Sequence, residues 1–162
     1  MGSGSSGGVR SRRRLATEIK DSLRELSNQL SLLNHQVGAH LELKDVDLDC
    51  LELITRYGPM SPSSVARRAG LHPATMTGVL DRLQRGGWIT RERDPEATDR
   101  RAVTVRGLRD RNAEVFHLYK GMNRAVDDLL SGYSDADLEL LVDFLQRTTT
   151  AGRGATISLA EA

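Results

Sequence analysis

The residues best suited to chemistry lie in one run, "RDPEATDRRAVTV", from Arg93 to Val105. Six of its first nine residues are charged. It then alternates small, β-branched and polar residues, as a short strand does. Two readings fit. One is a salt-bridged, solvated hairpin, because exposed ion pairs are common and contribute little energy. The other is a tip that enters a DNA groove. Asp99 is followed by Arg100 and Arg101, and the negative potential of a narrow minor groove favours an inserted arginine.

A second polar set lies just upstream in "LHPATMTGVLDRLQRGGW", Leu71 to Trp88. Met76, Val79, Leu80 and Leu83 are spaced as the inner face of a helix. That leaves Pro73, Ala74, Thr75, Thr77, Gly78 and Arg82 outward. Threonine hydroxyls bond bases or phosphates, and Ala74 or a threonine methyl can touch a thymine methyl. Gly78 lets the backbone come close, at a cost of about 1 kcal/mol of helix stability against alanine. Arg82 and Arg85 suit phosphates. In the preceding segment, Ser63 and Ser64 can hold a phosphate together with the N–H groups of a helix start. Ser61 is explained by capping alone. Arg67, beside Arg68, is expected on a phosphate, as are Arg91, Arg93 and Arg106 on the strands.

Charge agrees with this placement. The chain carries a net charge of only +1 over its 162 residues. Yet the net charge is −1 for Met1–Thr55, +6 for Arg56–Arg111 and −4 for Asn112–Ala162. A basic middle between acidic flanks is the electrostatic footprint of a nucleic-acid reader in a neutral scaffold.

Other chemistries find little support. Cys50 sits among Leu48, Leu51, Leu53 and Ile54, where a small buried hydrophobe is the simpler reading and a redox sensor the sharper one. A single cysteine allows no intrachain disulfide. His35, His40, His72 and His117 form no i, i+4 pair and no Glu-x-x-His spacing. "GSGSSGG" lacks the lysine, strand and helix that would make it a phosphate loop. The expectation is therefore no enzyme, no metal and no cofactor. No run approaches eighteen apolar residues, so no membrane span is expected, and a cytoplasmic location is the simplest one.

The elements that must position these residues can be read from spacing. Leu15, Ile19, Leu23, Leu26, Leu30, Leu33 and Val37 form a near-heptad stripe on one long helix. Asp45 or Asp47 is expected to cap the next helix, which ends at Gly58-Pro59. Ser61 caps a third with Pro62 at its first position, and Gly70 breaks it. His72 and Pro73 repeat that pattern, and Gly86-Gly87 stop the fourth helix. Two short helices joined at "AGLHP" are a helix-turn-helix. "WITRER" and "RAVTV" supply the strands of a following hairpin. Helices are expected from about Leu108 to Leu130, and after Ser134 with Leu138, Leu141, Val142 and Leu145. The fold class is thus mostly α with a small β-hairpin.

The ordered set, with "LDRLQRGGWI" leading into a hairpin that carries "DRR", resembles the MarR family of winged helix-turn-helix transcriptional regulators. The resemblance covers roughly Leu15 to Arg147. It implies a homodimer on double-stranded DNA, held by N- and C-terminal helices through Leu15, Ile19, Leu23, Leu26, Leu30, Leu138, Leu141 and Leu145. It implies Arg101 in the minor groove with Asp99 steering it, and a small-molecule effector or redox sensor, most simply in a ligand-responsive repressor. Two positions depart from the pattern: "RGLRDR" lacks the usual threonine cap after the wing, and Gly78 stands where relatives often carry a basic or larger polar residue. A protein-interaction module without DNA binding is the alternative these departures favour, and a Cys50-based redox regulator is another. The expected organisation is a leader or tag at 1–10, a dimerisation helix at 11–42, the winged region at 43–108, C-terminal dimerisation helices at 109–150 and a flexible tail at 151–162.

Overall fold

Six helices and one hairpin follow each other in the order α1 (Ser5–His40), α2 (Asp45–Tyr57), α3 (Pro62–Ala69), α4 (Pro73–Arg85), β1 (Ile89–Arg93), β2 (Val103–Gly107), α5 (Arg109–Leu130) and α6 (Asp135–Ala160). The computed structural model describes residues 5–93 and 102–161, with side chains from Arg10 onward. Among the described residues no helix is long and apolar enough to cross a membrane. The chain divides within α5 into two units, residues 1–118 and 119–162.

In the first unit the core gathers one face from each element. Cys50, Leu51 and Ile54 of α2, Val65 and Ala66 of α3, and Met76, Val79, Leu80 and Leu83 of α4 pack with Trp88, Ile89 and Val105. These are the inward positions that the 3.6-residue period selects. Local chemistry sets the helix ends. The Ser61 hydroxyl accepts from the Ser64 N–H at 3.2 Å, and the His72 ring accepts from the Ala74 N–H at 3.2 Å. Pro62 and Pro73 sit at the first helical positions, where a missing N–H costs nothing. Gly70 takes φ 65° and ends α3 in the left-handed conformation that glycine adopts without strain. The hairpin is antiparallel, with Ile89 opposite Gly107 and Arg93 opposite Val103. Met60 forms a further bridge to Val105 and ties the α2–α3 connection to the wing.

In the second unit, Ser134 opens α6 with a capping box: its hydroxyl accepts from the Asp137 N–H, and the Asp137 carboxylate accepts from the Ser134 N–H. No residue of α6 is buried.

Three expectations are corrected. Neither Asp45 nor Asp47 caps α2. Lys44 occupies that position without a side-chain bond, while Asp45 faces His35 at 3.1 Å and Asp47 is buried. The 151–162 tail is helical to Ala160. There Thr149, Thr150, Thr156 and Ser158 donate to carbonyls four residues back, so hydroxyls that otherwise compete with a helix are absorbed by it. Likewise α1 begins at Ser5, inside the stretch set aside as a leader. Once a helix exists, each added residue gains a bond without a new nucleation cost.

Candidate nucleic-acid interface

α4 buries Met76, Val79, Leu80 and Leu83 and leaves Pro73, Ala74, Thr75 and Thr77 exposed, with Gly78 half-buried. The small residues therefore cluster at the N-terminal half of the helix, on the side away from the core. The Thr77 hydroxyl donates to the Pro73 carbonyl at 3.1 Å, which leaves its lone pairs as acceptors. The Thr75 side chain faces solvent.

At the start of α3 the serines bind one another first. The Ser61 hydroxyl lies 3.0 Å from that of Ser63 and 2.9 Å from that of Ser64. Ser63 is exposed and Ser64 half-buried, and Arg67 is exposed on the same helix. Arg68 stacks on the Tyr57 ring, 4.4 Å from its centroid.

Arg82 does not stand ready for a phosphate as expected. Its Nε donates to Asp47 Oδ2 at 2.8 Å and its Nη2 to Asp47 Oδ1 at 2.6 Å. Asp47 is 2% exposed, whereas the Arg82 side chain keeps one side open to water. The hydrogen bonds to Asp47 push the guanidinium still higher than its ordinary range. Arg91 is also engaged, donating to Asp81 at 2.7 Å and tying β1 to α4. Arg106 pairs with Glu92 across the hairpin. Arg93 ends β1 and is exposed. Asp99, Arg100 and Arg101 lie outside the described residues.

Sequence reasoning missed Asp47 as anything but a cap. A signal was present, because Asp47 shares the inner face of α2 with Leu51 and Ile54, four and seven residues on. A carboxylate on an apolar face needs a cation. It also missed Arg111, whose guanidinium stacks on Trp88 at 3.9 Å and donates to the Gly86 carbonyl at 3.3 Å. Beside these residues is a cavity of about 320 Å³, lined by Lys44, Asp47, Arg82, Arg85, Trp88 and Arg111 among others.

Cys50 is fully buried. Burial, and next the charge of Asp49, push its thiol up to about 11. Thiolate is the reactive form, so this environment opposes the redox reading. Among the described residues no group of three or more His, Cys, Asp or Glu is placed to hold a metal.

The residues expected to line the dimer interface are open in the single chain. Leu15, Ile19, Leu26, Leu30 and Leu145 are exposed, and Leu23, Leu138 and Leu141 are half-buried.

Comparison with known proteins agrees with this geometry. The sequence pattern of the MarR family matches residues 43–103. The chain is 29% identical over 139 residues to YcgE, an HTH-type transcriptional regulator of Bacillus subtilis, covering 83% of this chain and 89% of that protein. It is 28% identical over 86 residues to YetL of the same organism, an HTH-type transcriptional repressor, covering 53% of this chain and 50% of that one. In fold it is similar to Streptococcus pneumoniae FabT, solved in complex with DNA, with a TM-score of 0.66, 18% identity and coverage of 86% and 98%. It is likewise similar to a mutant of MepR from a multidrug-resistant S. aureus clinical isolate, with a TM-score of 0.69, 16% identity and coverage of 82% and 96%.

Proposed function

Because the chain belongs to the MarR family, we propose that it is a homodimeric, sequence-specific DNA-binding transcriptional regulator, working as a ligand-responsive repressor. The observation that carries the reading is the outward face of α4. Pro73, Ala74, Thr75 and Thr77 are small, exposed and grouped in its N-terminal half, the part of a recognition helix that enters a major groove first. Helix α3 presents Ser63, Ser64 and Arg67 to the phosphate backbone, and Arg91 steadies the wing from Asp81. Arg101, with Asp99, is assigned to the minor groove.

A second copy of the chain is the natural cover for the exposed leucines of α1 and α6, since an apolar stripe of this length is costly in water. The relatives named as transcriptional regulators support the role, and YetL, named a repressor, supports the direction.

Selection of binding sites from random DNA at fixed salt tests the reading. An inverted repeat is expected, its half-sites about 34–36 Å apart, one helical turn. Affinity should fall with salt at a slope of about −0.9 per phosphate contact. Arg101→Ala should weaken binding while the dimer stays folded. Failure to enrich any repeat, with no salt-dependent binding, leaves the protein-interaction alternative standing instead.

A further inference from the structure

We propose that Asp47 is a positioning residue for the DNA-reading helix: through its two-bond clamp on Arg82 it fixes α4 against α2. This rests on the DNA-reading function above and adds to it a residue that touches no DNA.

The clamp joins residues 35 positions apart. Asp47 stands in the first turn of α2 and Arg82 in the last turn of α4. Both carboxylate oxygens are used, at 2.8 and 2.6 Å. A guanidinium fork meets a carboxylate in one plane and one direction, whereas apolar side chains tolerate sliding. Around it both helices feed the apolar core, α2 with Leu51 and Ile54 and α4 with Met76, Leu80 and Leu83. Such packing secures the fold and leaves fine orientation less determined. Fine orientation is what a reading helix needs. Side chains reach about 5–6 Å from a helix axis, so a rotation of roughly 15° moves their tips by about 1.4 Å. A hydrogen bond does not survive that displacement.

Gly78 lies one turn before Arg82 on the same side of α4. A Cβ at Gly78 would stand 3.5 Å from Arg82 Nη1. That is an ordinary contact, made by the guanidinium nitrogen that does not bond Asp47.

The pair's stability does not account for it. An apolar pair of similar volume is often as stable as a buried ion pair, so what the ion pair adds is direction.

The test compares full-length variants at fixed salt. Discrimination is the ratio of Kd for random-sequence DNA to Kd for the selected repeat, read beside thermal melting. For Asp47→Leu/Arg82→Met, cooperative melting is expected near the wild type. Discrimination should fall tenfold or more, with affinity for random DNA within about threefold of the wild type. Arg82→Lys keeps the charge and loses the fork; it should show the same fall and carries the test if the double variant does not fold. Equal discrimination in the folded variants overturns the proposal. So does an equal loss on both DNAs, which makes Arg82 a phosphate contact. A wild-type protein that does not discriminate at all refutes the DNA-reading function itself, and this proposal with it.

Discussion

Removing Arg82 alone should harm the fold more than removing Arg82 and Asp47 together. In Arg82→Met, a carboxylate that is 2% exposed loses both of its donors. Breaking a buried ion pair in this way costs about 3–5 kcal/mol. The Arg82 side chain keeps 36% exposure, so water reaches one side of the pair and screens part of the penalty. The expected loss is therefore about 2–3 kcal/mol, a large share of a total stability of about 5–15 kcal/mol. In Asp47→Leu/Arg82→Met no charge is stranded, and the stability should return to within about 1 kcal/mol of the wild type. The two single losses should thus fail to add, leaving a coupling of about 2 kcal/mol or more. Urea unfolding of all four proteins at one protein concentration measures the cycle. Additive losses, with the double variant the least stable of the set, would refute the assignment of Asp47 and Arg82 as a buried, mutually dependent pair.

Gly78→Ala should raise stability by up to about 1 kcal/mol, because the added Cβ meets Arg82 Nη1 at 3.5 Å, an ordinary contact; a lowered urea midpoint contradicts this. Ser134→Ala removes the acceptor of the α6 capping box and should cost about 1 kcal/mol, measured as lost stability with unchanged helix content at low temperature. The Cys50 thiol is raised from 9.0 to about 11, so the folded state favours the protonated form. Its contribution is complete below pH 9 and is lost as pH rises toward 11. Relative to Cys50→Ala, the wild type should lose stability across that window, and parallel pH curves for the two proteins would show otherwise. Replacing Leu23 and Leu30 with aspartate should halve the sedimentation mass; an unaltered mass removes the α1 stripe from the proposed dimer interface.

Sequence alone determined the order of elements and most of their ends. Serine, histidine and proline at Ser61-Pro62 and His72-Pro73, and glycine at Gly70, act within one or two turns of chain, so their effect is local and legible. The inner face of α4 follows from helical period in the same way. The end of α6 was not legible, because threonine, serine and glycine suit both a frayed tail and a helix whose hydroxyls turn back on it.

Tertiary structure decided which charges face outward. Helical period places Arg82 on the outward side of α4, but period knows nothing of α2, and Asp47 takes two of the guanidinium's donors from 35 residues away. Arg91 is drawn to Asp81 for the same reason. A long cationic side chain goes to a carboxylate within its reach. Which carboxylate that is depends on how helices pack, and no spacing within a single element records it.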